Sequence, residues 1–152
     1  MYQNLTRHRV GLYEKALPND LSWEEKLKTT KELGFDFLEI SVDESDERRS
    51  RLDWCDEEVY GLRRLCEEHQ VPLQSMCLSA HRKFPFGSAD PKVREQAVIH
   101  MEKSITLAYK LGIRTIQLRI KTDIESTLTN KELLEIKKEK KRYGNRCLSR
   151  QE

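Results

Sequence analysis

The chain has 152 residues, 37% of them hydrophobic and 36% charged, with a formal net charge of +2. Ten Lys or Arg against six Asp or Glu fall in residues 119–152, and 18 against 20 fall in residues 1–118, so a weakly acidic body precedes a basic tail. The body lacks the clustered positive charge of a nucleic-acid-binding face, and no apolar run reaches the ~20 residues of a membrane-spanning helix.

The N-terminal stretch, Met1 to His8, has no apolar core of a secretory leader, so the expected location is the cytoplasm. Cys55, Cys66, Cys77 and Cys147 show no CxxC spacing and read as free thiols of a reducing compartment.

Val10 to Glu14 is a short apolar run ending in polar groups, a predicted first strand closed by Leu17-Pro18-Asn19-Asp20. Ser22 and Glu25 have capping-box spacing, which predicts a helix to about Leu33 with Trp23, Leu27 and Thr30 on its inner face; Gly34 ends it. Phe35 to Ser41 is the second strand, followed by a charged loop from Asp43 to Trp54. Asp56 is the expected cap of a helix with Val59, Leu62, Leu65 and Cys66 on one stripe. After Gln70 comes a third strand, Leu73 to Ser79, and a loop from Ala80 to Ser88.

Asp90 followed by Pro91 is the clearest helix start, with Val93, Ala97, Met101, Ile105, Ala108 and Leu111 at helical spacing up to Gly112. Ile113 to Leu118 is a fourth strand. Strands alternating with helices must pair in parallel, as in a doubly wound sheet or a (β/α)8 barrel. No Gly-x-Gly-x-x-Gly follows the first strand, which weighs against a dinucleotide site. Beyond Leu118 the unit stops repeating. Thr129 and Glu132 have capping-box spacing before a highly charged segment, read as a solvated helix or as disorder.

In a parallel barrel, function gathers where strands end. Glu14 and Glu39 end neighbouring strands. They read either as facing carboxylates for a metal or a proton transfer, or as groups bonding sugar hydroxyls or pairing with Lys15 or Arg51. His81-Arg82-Lys83 reads equally as a loop for a phosphorylated ligand or as a solvated basic loop. His8, His69 and His100 read as surface or helix-face residues, and Cys77 as a core or pocket-wall thiol. Asp43 to Glu47 reads as a solvated acidic turn, because it lacks the glycine and final glutamate of a calcium loop.

Gly11 to Pro18, Gly34 to Glu44, Ser50 to Trp54 and Ser75 to Arg82 together resemble the L-ribulose-5-phosphate 3-epimerases, formerly called hexulose-6-phosphate isomerases, among the xylose-isomerase-like barrels. The resemblance covers roughly residues 9–118. It implies the N-terminal half of a (β/α)8 TIM barrel over residues 1–118 and a tail, 119–152, without family likeness. It also implies interconversion of L-xylulose 5-phosphate and L-ribulose 5-phosphate, in L-ascorbate and pentose breakdown, through an enediolate stabilised by a divalent metal. The family's metal ligands and acid–base carboxylates lie on later strands, so none is transferred here. The residues carried over are on the substrate side: Tyr13, Glu14, Glu39, His81 and Arg82. The expectation is an inactive, truncated or frame-shifted epimerase. The alternative is a half-barrel that dimerises through its strand edges as a sugar-phosphate binding module.

Overall fold

The structure, a computed structural model, describes residues 8–118. The element order is β1 (Gly11–Tyr13), a 3-10 turn (Glu14–Ala16), α1 (Trp23–Glu32), β2 (Phe37–Val42), α2 (Asp46–Arg49), a second 3-10 turn (Ser50–Asp53), α3 (Asp56–His69), β3 (Leu73–Leu78), a third 3-10 turn (Ala80–Arg82), α4 (Pro91–Leu111) and β4 (Thr115–Leu118). The four strands form one parallel sheet in the order β1-β2-β3-β4. This is the sequential arrangement of half a (β/α)8 barrel. Among the described residues β1 and β4 each pair on one side only. The charged tail segment lies outside the described residues.

Each helix begins and ends for a local reason. The Ser22 amide donates to Glu25 Oε2 at 2.7 Å and the Glu25 amide to Ser22 Oγ at 3.2 Å, which completes the expected capping box of α1. Asp90 caps α4 through the Lys92 amide at 2.9 Å, with Pro91 at the first helical position. The cap of α3 is Cys55, one residue before the expected Asp56, because Glu58 reaches back to the Cys55 amide at 2.8 Å. Left-handed residues stop α3 and α4: Gln70 with φ 56° and Gly112 with φ 74°.

The core lies between the sheet and its helices. Leu38, Ile40 and Val42 of β2 and Met76 and Leu78 of β3 are fully buried there, against Leu27 of α1, Val59 and Leu62 of α3, and Leu107, Ala108 and Leu111 of α4. Each such Leu, Ile, Val or Met side chain contributes about 1.5–3 kcal/mol relative to exposure. The inward stripe of α4 runs through Ala97, His100, Ser104, Ala108 and Leu111. The expected stripe is thus corrected at Ile105, which is 52% exposed, because it sits one residue, about 100° of turn, off the line through Ser104. His100 is likewise buried rather than superficial.

The loop from Asp43 to Trp54 is more ordered than its sequence implies. Ser45 caps α2 by accepting from the Arg48 amide, and Asp43 is buried. The reading of Asp43 to Glu47 as a solvated turn fails at Asp43, because Lys15 and Ser45 hold its carboxylate.

Candidate functional site

Strand alternation divides the side chains between two faces. With Leu38, Ile40 and Val42 turned to the helices, Phe37, Glu39 and Ser41 face the other way, toward the interior of the barrel curve. The register continues this row: Tyr13 lies opposite Glu39, Glu39 opposite Ser75, Ser75 opposite Thr115, Ser41 opposite Cys77 and Cys77 opposite Gln117. The inner face is therefore polar, whereas parallel strands buried on both sides are apolar throughout.

Two hydrogen bonds organise this face. Tyr13 Oη and Ser41 Oγ lie 3.2 Å apart, and Ser75 Oγ donates to Glu39 Oε2 at 2.5 Å. Burial pushes the Tyr13 phenol up to about 12; the bond to Ser41 opposes this shift and neighbouring Cys77 adds to it. Tyr13 thus stays a neutral hydroxyl across the ordinary pH range, able to donate and accept. Of the inward strand positions among the described residues, Glu39 is the one carboxylate.

Glu14 is placed elsewhere. It is 1% exposed in the turn after β1 and is bound by two arginines. Arg51 Nη1 reaches Oε1 at 2.7 Å and Oε2 at 2.9 Å, and Arg48 Nε reaches Oε1 at 3.0 Å. Arg51 also donates to the Ser41 carbonyl at 2.7 Å, and Arg48 to Asn19 Oδ1 at 2.6 Å. The Arg51 guanidinium lies 4.9 Å from the Trp23 ring, which meets Trp54 edge-on at 6.0 Å. Burial alone pulls Arg48 down, but its bond to Glu14 and the charges of Glu14 and Asp43 raise it above the usual arginine value. Asp43 is pushed up by burial, yet the bonds from Lys15 and Ser45 prevail and hold it at about 2. This cluster locks the β2–α3 connection onto the end of β1.

Glu14 and Glu39 therefore do not form a facing carboxylate pair. One is neutralised beneath the loops and the other lies on the open inner face. Among the described residues no group of three or more His, Cys, Asp or Glu side chains is placed to hold a metal ion. Glu39 has hydroxyl neighbours, and the carboxylates of Glu14 and Asp43 are occupied by cations, so the described donor set does not fit a divalent metal.

His81 is fully buried, with Nε2 3.0 Å from the Ala97 carbonyl oxygen on α4 and its ring 4.4 Å from Phe86. It lines no open surface. Arg82 is exposed, 3.8 Å from Glu44. Of the five candidate residues, the structure brings Tyr13 and Glu39 together on the inner face, sets Arg82 on the loop beyond β3, and buries Glu14 and His81. Ser41, near the end of the same strand as Glu39, lies with Tyr13 and Glu39, and Ser75 and Gln117 join the inner face unforeseen. Their signal was the polar phase of each strand, visible once the apolar phase is assigned to the helices.

The family model for the xylose isomerase-like TIM barrel matches residues 27–145. A putative L-ribulose-5-phosphate 3-epimerase, SgbU, of Escherichia coli K12 is 57% identical over 114 residues, which are 75% of this chain and 40% of that protein. The L-ribulose-5-phosphate 3-epimerase UlaE of Shigella boydii serotype 18 is 54% identical over 109 residues, 72% of this chain and 38% of that protein. The chain thus spans about 40% of the length of these curated relatives. Among solved structures, D-psicose 3-epimerase from Clostridium cellulolyticum H10 with D-tagatose superposes with a TM-score of 0.60 at 19% identity, over 72% of this chain and 36% of that one, a likeness of fold. With four sequential parallel strands, their outer helices and a family match over most of its length, this chain belongs to the xylose isomerase-like TIM barrels.

Proposed function

We propose that residues 11–118 form the substrate-side part of an L-ribulose-5-phosphate 3-epimerase barrel, acting on pentulose 5-phosphates in L-ascorbate or related pentose breakdown in the cytoplasm. The observation that supports this most is the polar inner face. Tyr13, Glu39 and Ser75 present hydroxyl and carboxylate groups where polyol hydroxyls need donors and acceptors, the fully buried Ser41 bonds to Tyr13, and the relatives that share this segment bear the name of that epimerase. Arg82 and Lys83 at the end of β3 are the cations for the phosphate. Any divalent metal and the paired acid–base groups are proposed to come from outside residues 8–118. Residues 119–152 are proposed as a second segment, into which the family match extends as far as residue 145. No helix among the described residues is long and apolar enough to cross a membrane, and the reading requires neither a membrane nor nucleic acid.

The test is ligand-observed NMR of the 152-residue chain with L-ribulose 5-phosphate. Saturation transfer to the sugar protons is expected. Glu39→Gln and Tyr13→Phe are each expected to weaken binding by about 3–10-fold, the equivalent of one hydrogen bond. Absence of transfer, or transfer untouched by both substitutions, would count against the inner face as the sugar site.

A second reading rests on the outer strands, which each pair on one side only among the described residues. A homodimer joined at those edges would make the chain a sugar-phosphate binding module. Analytical ultracentrifugation distinguishes the readings: a dimer that retains sugar binding favours the module, and a monomer excludes it.

A further inference from the structure

The segment from Ala80 to Ser88 leaves β3 and crosses to α4. Its own backbone bonds are short turns: the Arg82 amide to the Ser79 carbonyl at 3.0 Å, Lys83 to Ala80 at 3.0 Å, Phe84 to Ala80 at 3.2 Å and Ser88 to Pro85 at 3.2 Å. Arg94 of α4 donates to the Ser88 carbonyl at 2.7 Å, Arg82 pairs with Glu44, and two histidines join the middle of the segment to α4. His81 Nε2 approaches the Ala97 carbonyl oxygen at 3.0 Å. A carbonyl only accepts, so Nε2 carries a hydrogen. His100, three residues along α4 from Ala97, is 7% exposed and stands edge-on to Phe84 with ring centres 4.7 Å apart. Neither Nδ1 has a hydrogen-bond partner among the described residues.

The charged groups around His100 come from every element packed on it. Arg49 of α2 faces it, with its guanidinium 5.4 Å from the same Phe84 ring. Lys103 comes from α4 itself, Asp53 from the turn before α3, and His81 from the loop. Asp53 is already paired with Lys103, and Asp46 of α2, which lines the same cleft as His100, with Arg49. Burial first, and then Arg49, His81 and Lys103, hold His100 below the ordinary histidine value.

We propose that His81 and His100 are positioning residues. They seat the 80–88 segment on α4, and with it the exposed cations Arg82 and Lys83, and the seat holds only while His100 is uncharged. The ligand role of Arg82 and Lys83 rests on the sugar-phosphate reading above; the seat does not. A charged His100 would present an N–H with no acceptor beside two cations, so acid unseats the segment before the sheet unfolds. The sign follows from linkage: with the folded-state value depressed, the contribution is complete above about pH 6.5 and declines as pH falls below it.

Hydrogen exchange of the Arg82, Lys83, Phe84 and Ser88 amides in the 152-residue chain, corrected for intrinsic rates, tests this at about pH 7.5 and about pH 5. Protection of these four is expected to fall by at least about tenfold in acid, while Ile40 and Met76 hold theirs. His100→Phe keeps a ring against Phe84 without a titrating nitrogen and is expected to flatten the acid loss. Unchanged protection in the wild type, or an equal acid loss in His100→Phe, overturns the proposal. If that variant does not fold, the wild-type imidazole titration followed by NMR decides: loop opening must share its midpoint with His100, and separate midpoints overturn the proposal. No sugar phosphate is present in these measurements, so the outcome is independent of the substrate reading.

Discussion

Arg51 Nη1 contacts both carboxylate oxygens of Glu14, at 2.7 and 2.9 Å, and the Ser41 carbonyl at 2.7 Å, so one guanidinium bridges the ends of β1 and β2. Both side chains are nearly inaccessible. Removing Glu14 leaves Arg51 as a buried, uncompensated cation and Arg48 with Asp43 alone, at 3.6 Å. Glu14→Ala is therefore expected to destabilise the chain by about 3–5 kcal/mol in urea unfolding, and Arg51→Ala by a similar amount. The double variant is expected to lose less than the two together, since it removes charge from both sides. A Glu14→Ala loss under about 1 kcal/mol would show that the cluster is dispensable.

Asp43 gives the same region an acid limit. Its carboxyl is held at about 2 by Lys15 and Ser45 against the opposing effect of burial, below the usual aspartate value of about 3.9. A depressed folded-state value means that stability is present above the unfolded value and is lost as pH falls through the folded one. Stability is thus expected to drop between about pH 4 and about pH 2, and the drop is expected to be shallower in Asp43→Asn. Parallel acid-unfolding curves for the two proteins would assign the acid sensitivity to other groups.

Gly11 and Phe37 are paired residues on β1 and β2, and a β-carbon on Gly11 would lie 2.1 Å from the Phe37 ring. Glycine is needed here for space, because the aromatic ring lies across its backbone. Gly11→Ala is expected to cost about 1–3 kcal/mol as an overpacking change. Gly11→Ala with Phe37→Leu is expected to recover most of it. A tolerated single substitution would mean that the half-buried ring swings aside, and the Arg9 guanidinium 6.0 Å from that ring would then lose its contact.

The order of strands and helices was legible because the repeating unit is written locally. Ser22 with Glu25 and Asp90 with Pro91 start helices by satisfying their own backbone amides, and Gly34 and Gly112 take the left-handed turn. Gln70 does the same work as those glycines with φ 56°, and only the apolar run after it marks the turn. The site was harder to read. Glu14 and Glu39 occupy equivalent places after apolar runs, yet β1 ends at Tyr13, so Glu14 begins a turn and rotates toward Arg48 and Arg51 while Glu39 stays on the strand. One residue of strand length separates a buried structural carboxylate from an accessible one. The burial of His81 and His100 was also invisible, because each depends on the other's loop or helix and not on its own neighbours in the chain.

The final prediction concerns turnover. A 3-epimerisation needs a proton removed from one face of the sugar and returned to the other, and the inward strand positions described here supply one carboxylate, Glu39. The 152-residue polypeptide alone is expected to show no interconversion of L-xylulose 5-phosphate and L-ribulose 5-phosphate with added Mn, Co, Zn or Mg. The portion of a curated relative that lies beyond the matched segment, added as a separate polypeptide, is expected to contribute the strands that these relatives carry there. Activity is then expected to appear, and Glu39→Gln in this chain is expected to reduce it by about tenfold or more. Turnover by the chain alone, abolished by a chelator, would place a complete catalytic centre within these 152 residues and overturn the view of the inner face as the substrate side only.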